Sequence, residues 1–235
     1  MAITLKLLQM CSSLMIIAFD FDGTLVDSYS CIEEAFYRAL KRTYPWLPGK
    51  RYIAKLLTKL ELQFERPKFG KHGRKIKPPM KIFQGKFARA WFEERAKLTK
   101  PLDGAREVLE RLKEDGHIVI SFSAEDFIPG IKEYRLKISG LYDLFDDVII
   151  FGRDITICEA FSIVREKYGY DTFVWVDDKP WRFIGRGDEN TEYVWMYFPY
   201  TARFVSDDIL AQIPHLHVIY DLWSLLDVVK NLKSR

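Results

Sequence analysis

FDFDGTLVDS, residues 19–28, sets two aspartates two positions apart directly behind the apolar run LMIIAF at 14–19. A short unbroken apolar run of this kind predicts a strand buried on both faces. Asp20 and Asp22 then stand at the strand's carboxyl end, with Gly23-Thr24 behind them. Glycine supplies the backbone freedom for a sharp turn that aims Asp22 back at the strand end. A threonine hydroxyl can fix such a turn through a local hydrogen bond. Leu25 and Val26 turn apolar again, and Asp27-Ser28 read as a helix cap.

Outward from this stretch the texture alternates. Ile32, Ala35, Phe36, Ala39 and Leu40 recur at helical spacing until Pro45 and Pro48-Gly49. LDGAREVLERLKEDGH at 102–117 reads as a helix ended by Gly116, with Val108, Leu109 and Leu112 on one face. HIVISFSA at 117–124 is the next buried strand, and a helical stretch to about Ser139 follows it. DDVIIFG at 146–152 is a strand, TICEAFSIVREKYG a helix ended by Gly169, and TFVWVDD at 172–178 a strand closing on two aspartates. EYVWMYF at 192–198 and HLHVIY at 215–220 are further strands, and LWSLLDVVKNL closes the chain as a helix. Strands alternating with helices predict an α/β fold, Rossmann-like, with a mostly parallel sheet. The interval 29–100 is too long and too charged for one crossover, and predicts an inserted, mainly helical cap. The domain reading is therefore 1–28 with 101–235 as core, and 29–100 as cap.

Composition excludes several classes. Of 235 residues, 48% are hydrophobic and 29% charged, which is globular rather than disordered. No apolar run reaches 18 residues, so no membrane span is expected. The apolar start runs straight into Asp20 without a small-residue cleavage site, so it does not read as a signal peptide. Residues 1–14 read as an extension, or as an over-long start, ahead of a natural beginning at Met15. Cys11, Cys31 and Cys158 form no CxxC pair, and predict reduced thiols in a cytoplasmic protein. His215 and His217 share a strand face without a third ligand, and are read as ordinary strand positions rather than a metal site. Asn and Gln total only six, the skew of a thermophile protein.

Three strands end in polar groups: Asp20/Asp22, Ser121/Ser123 and Asp177/Asp178. Ligands of open α/β sheets bind at the carboxyl ends of strands. Four carboxylates gathered there predict a hard-cation site of the Mg²⁺ type.

The sequence resembles the haloacid dehalogenase (HAD) superfamily of aspartate-dependent phosphatases. The resemblance rests on DxDGT at Asp20–Thr24, on SFS at 121–123, and on Val176-Asp177-Asp178 after a later strand. It covers 15–28 and 101–230. It implies a Mg²⁺-dependent phosphoric monoester hydrolase in which Asp20 is the nucleophile and forms an aspartyl-phosphate. Asp22 would protonate the leaving alkoxide and then activate water, and Thr24 would fix the turn. Mg²⁺ would be held by Asp20, Asp22 through its carbonyl, Asp177 and Asp178. Gly23, Ser123 and the Ala124 amide would stand against the phosphate. The resemblance prefers Ser123 to Ser121, since the family places this residue about seven positions after the glycine that ends the preceding helix, here Gly116. The family's lysine ahead of TICEAF is missing. Arg153 or Lys179 is expected to supply that charge, and the two side chains differ in geometry. The acid at Asp22 favours phosphoryl transfer, since the family's dehalogenases lack it. A phosphomutase or phosphotransferase shares every motif and is the rival enzyme.

The insert carries thirteen Lys/Arg between 41 and 81 against Glu61 and Glu65 alone, a net +11 that leaves the remainder at −8. ERPKFGKHGRKIKPPMK reads as a basic loop, and 82–98 as an amphipathic helix. Trp46, Phe64, Phe69 and Phe83 interleave with the charge and are expected to pack the cap's own core. An insert after the first motif is the family's helical cap position, where it closes over a small phosphorylated metabolite and reads the leaving group. The positive charge would be a solvated surface, steer an anionic substrate, or contact nucleic acid. A nucleic-acid-binding protein on the same scaffold is the rival from another class.

Overall fold

The computed structural model describes residues 14–67, 85–169 and 172–234. Its centre is a six-stranded sheet, every neighbouring pair parallel, in the order β5-β4-β1-β6-β7-β8. These strands are β1 (Met15–Phe19), β4 (Ile118–Ala124), β5 (Asp147–Phe151), β6 (Thr172–Asp177), β7 (Thr191–Met196) and β8 (Leu216–Ile219). Helices cover both faces, so the apolar residues of β1 divide between two cores. Met15, Ile17 and Phe19 pack with α4 (Ala105–Glu114) and α9 (Ser224–Lys233). Ile16 and Ala18 pack on the other side with α6 (Ile157–Tyr168). This is why LMIIAF shows no polar alternation.

Local signals fix the crossovers. α6 starts on a reciprocal capping box, Thr156 with Glu159, and ends on Gly169 in the left-handed region. α4 stops at Glu114, ahead of Gly116 at φ +85°. Asp27 differs from its expected role. Its Oδ1 accepts from the Tyr29 and Ser30 amides and closes a turn ahead of the helix. The helix itself, α1 (Ile32–Thr43), begins after Cys31.

Between β1 and β4 the chain makes three further helices: α1, α2 (Lys50–Phe64) and α3 (Gly85–Leu98). The strands on either side of this insert, β2 (Val26–Asp27) and β3 (Lys100–Pro101), pair antiparallel with each other. The outgoing and returning chain are therefore tied at one point. The insert has its own apolar centre, where Phe36 of α1 stacks on Trp91 of α3 at 4.4 Å. Ile131 of α5 (Ile131–Ile138) joins it from the core side. Trp46 is not part of that centre: it is 76% exposed. Phe69, Phe83, Cys11 and most of the basic loop lie outside the described residues, as do residues 1–13 and the Phe64 side chain. Two shorter helices, α7 (Pro199–Ala202) and α8 (Asp207–Leu210), complete the chain. No helix among the described residues is long and apolar enough to cross a membrane.

Trp175 of β6 is fully buried among Phe122, Phe161 and Phe183, with ring centroids 4.9–5.7 Å away. Trp175→Ala is expected to cost about 3–5 kcal/mol, read from chemical denaturation at neutral pH.

Candidate active site

β1 and β6 are adjacent and in register, with Phe19 opposite Val176. Asp20 and Asp177 therefore emerge side by side at the same end of the sheet. The Asp20 amide donates to the Val176 carbonyl at 2.9 Å and holds the two ends together. Asp20, Asp177 and Asp178 each offer a carboxylate oxygen, all within 4.8 Å of one another, and all three residues are buried.

Burial penalises charge in Asp177 and Asp178. It pushes the Asp177 carboxyl up to about 6, against the opposing pull of Arg182. It pushes Asp178 well above the ordinary carboxylate range, and Lys179 only partly offsets it. Arg182 Nη1 is the compensating cation, 3.0 Å from Asp177 Oδ2 and 3.3 Å from Asp20 Oδ2. Asp177 Oδ1 also accepts the Lys179 amide at 2.8 Å. Both Asp178 oxygens lack a hydrogen-bond partner among the described residues. Buried oxygens without donors, set among other carboxylates, suit a hard divalent cation. The Asp22 carboxylate is outside this cluster, so any part it took in holding a cation would fall to its main chain.

Gly23 makes the approach of Asp178 possible. It has φ +80°, and a Cβ there would come within 2.7 Å of Asp178 Cγ. The turn is closed by main chain: Gly23 N–H to Val26 O at 2.9 Å, and Leu25 N–H to Phe21 O at 3.1 Å. Thr24 does not hold it as expected. Its hydroxyl is buried without a hydrogen-bond partner among the described residues, because the main chain already satisfies the turn.

Asp22 points the other way, into a cluster of cations. Lys132 Nζ and the Arg135 guanidinium, both on α5, bond its two oxygens. Arg95 of α3 approaches to 3.8 Å. Burial alone would raise the Asp22 carboxyl, but Arg135, Lys132 and Arg95 outweigh it and hold it well below the usual range. Arg135 is itself shared with Asp126 at 3.0 Å. In this arrangement Asp22 is a carboxylate, and the cations around it oppose its protonation.

The remaining expected residues separate clearly. Ser121 and Ser123 are both buried, with hydroxyls lacking a hydrogen-bond partner among the described residues. Ser121 is level with Phe19, whereas Ser123 is two residues nearer the strand mouth. Ala124 lines the cavity described below. Lys179 is buried, with Nζ 2.8 Å from Glu65 Oε2 of the insert. Arg153 is half exposed after β5, 3.9 Å from Asp154, and does not line the cavity. His217 bonds Glu192 at 3.0 Å.

Sequence reasoning missed Lys132, Arg135, Arg95 and Arg182. A signal for the first two was present. Ile131, Lys132, Arg135 and Leu136 form the buried face of α5, so the two cations share the face of two apolar residues. Arg182 follows the Asp177-Asp178 pair within one short 3₁₀ turn, Pro180–Arg182.

Over this site lies a cavity of about 260 Å³. Asp22, Lys132, Lys179 and Arg182 line its core end; Glu61, Glu65, Phe92 and Arg95 line its cap end. The two acids interrupting the basic run are thus the ones that α2 and its end turn toward the core. Arg51, Lys55 and Lys59 are exposed and do not line the cavity. Glu61 is 4% exposed, and burial pushes its carboxyl from 4.5 up to about 7 despite Arg95.

Two outcomes follow from this geometry. Gly23→Ala forces a strained φ and drives a methyl against Asp178. It is expected to destabilise by about 1–3 kcal/mol, read as a lowered Tm. For Glu61, the unfolded carboxyl ionises near 4.5 while the folded one stays protonated to about 7. Its contribution is therefore full below the lower value and lost as pH rises through the upper one. Glu61→Gln removes that loss, so its Tm relative to the parent should climb between pH 4.5 and 7 and then level off.

Residues 14–181 match the haloacid dehalogenase-like hydrolase family. No curated protein matches the sequence. Among solved structures, the fold is similar to a predicted phosphoglycolate phosphatase from Haemophilus somnus 129pt. That pair has TM-score 0.64 and 17% identity, covering 93% of this chain and 99% of that one. A haloacid dehalogenase-like family protein from Streptococcus pneumoniae gives TM-score 0.59 and 13% identity over 92% and 98%. L-2-haloacid dehalogenase from Xanthobacter autotrophicus gives 0.58 and 17% over 94% and 100%. At these identities the structural likeness speaks for the fold alone. The family match spans well over half of the chain, and the chain belongs to the haloacid dehalogenase-like hydrolases.

Proposed function

We propose that this hydrolase is a Mg²⁺-dependent phosphatase acting on a small phosphomonoester through an aspartyl-phosphate at Asp20. The observation that carries the reading is the division of the two motif aspartates between environments. Asp20 lies in the acidic cluster with Asp177 and Asp178, while Asp22 lies in the cationic one with Lys132, Arg135 and Arg95. Two carboxylates held apart in this way are equipped for different tasks. A carbon–halogen displacement needs no second acid, whereas an alkoxide leaving from phosphorus needs a proton.

Bound Mg²⁺ would offset the repulsion between the Asp20 carboxylate and the phosphoryl oxygens. Asp20 attacks phosphorus, the ester P–O bond breaks, and the leaving oxygen takes a proton from Asp22. Asp22 takes that proton from solvent as the phosphoryl group competes for Lys132 and Arg95, the two cations that line the cavity with it. As a carboxylate again, it takes a proton from the water that attacks the aspartyl-phosphate, releasing Asp20 and inorganic phosphate. Ser123 Oγ, buried without a hydrogen-bond partner among the described residues, and the Ala124 N–H would donate to phosphoryl oxygens. Lys132 and Lys179, both buried and lining the cavity, are better placed than Arg153 to neutralise charge.

Turnover of an aryl phosphate with Mg²⁺ should release inorganic phosphate and stop with EDTA. Asp20→Asn should lower kcat by at least about 10³-fold. Undiminished activity in that variant would sink the proposal, and isomerisation of a sugar phosphate without free phosphate would transfer it to a mutase.

A further inference from the structure

Glu61 has no part in the chemistry above, yet it is a buried acid on the cavity wall. It comes from the cap helix α2, where Ala54, Leu57 and Glu61 recur at three and four on the inward face. Its Oε1 faces Arg95 Nη1 at 3.9 Å. Its Oε2 is buried without a hydrogen-bond partner among the described residues. An orphaned buried acceptor costs stability unless something donates to it. The same residue disfavours the folded state as pH approaches 7, so its gain lies in what enters the cavity.

We propose that Glu61 is a specificity residue, accepting a hydrogen bond from a hydroxyl on the leaving group of a short hydroxylated alkyl phosphate. The inference rests on the phosphatase reading and narrows it. A carboxylated leaving group would meet the Glu61 carboxyl and a second acid, Glu65. An ammonium group would share the cavity with Arg95 and Lys179. A hydroxyl is neutral and satisfies the free oxygen. Phe92 and Phe127 give the same cavity an apolar wall, with ring centroids 6.4 Å apart, suited to a short carbon skeleton. At about 260 Å³ the cavity is smaller than the usual range for larger ligands, roughly 300–1,000 Å³, which argues against a nucleotide.

Glycerol 3-phosphate and propyl phosphate share a three-carbon chain and differ in their hydroxyls. The parent protein is expected to favour the first in kcat/KM by at least about tenfold. Glu61→Ala should collapse that ratio to within about threefold, while Glu61→Gln, which keeps an acceptor oxygen, should preserve most of it. A parent ratio near one overturns the inference, as does a ratio that Glu61→Ala keeps. Should neither ester nor an aryl phosphate be hydrolysed, the phosphatase reading fails by itself. The same ratio is then taken from calorimetric Kd values of the two esters on parent and Glu61→Ala protein. A binding preference that Glu61→Ala abolishes supports the role of Glu61, and a parent ratio near one, or one that the variant keeps, overturns it.

Discussion

Three buried carboxylates meet within 4.8 Å at the ends of two neighbouring parallel strands. Their mutual repulsion and their desolvation both oppose this arrangement, and much of the surrounding structure is built to permit it. The parallel register of β1 and β6 puts Asp20 beside Asp177. Gly23 gives up its side chain so that Asp178 can lie against the turn. Trp195 fixes the Asp178 carbonyl at 3.2 Å, and Arg182 returns one positive charge to the cluster. The compensation is incomplete, because both Asp178 oxygens lack donors among the described residues. A buried carboxylate left in this condition is stable only if it is protonated or faces a cation.

The second aspartate lives under the opposite constraint. Asp22 is over-compensated, with cations from two parts of the chain: Lys132 and Arg135 on α5, and Arg95 on α3. Arg95 also donates to the carbonyl and hydroxyl of Ser28, at 3.1 and 3.2 Å, where the chain leaves the core. Lys179, next to the acidic pair, reaches across to Glu65. The cap is thus joined to the core through the same charged residues that surround the cavity. A dianionic group entering between them would compete for these cations.

Much of this was legible in the sequence because it depends on short-range pattern. The buried run at 14–19, the turn at Gly23 and the aspartates closing the 172–178 strand each have a local cause, and together they implied the parallel sheet and its ligand end. The insert was legible as a break in alternation and charge. What escaped depends on which way a helix faces. The strongly basic composition of α2 concealed that Glu61 within it and Glu65 just after it face the cavity. α5 was placed as a helix, but its inward cations, Lys132 and Arg135, were not singled out. Thr24 failed differently: its hydroxyl had a plausible bond, but the main chain made that bond first. The lysine substitute was sought at Arg153 or at Lys179; of these two Lys179 is buried and lines the cavity, and Lys132 of α5, which was not considered, joins it there.

The central claim is that the crowded carboxylates are a site for one divalent cation. Calorimetric titration of Mg²⁺ into the parent protein and into Asp178→Asn tests it most directly, since it needs neither substrate nor turnover. The account predicts one Mg²⁺ per chain in the parent and a loss of affinity of at least about tenfold in the variant. Absence of Mg²⁺ binding, or binding that Asp178→Asn leaves unchanged, would contradict it.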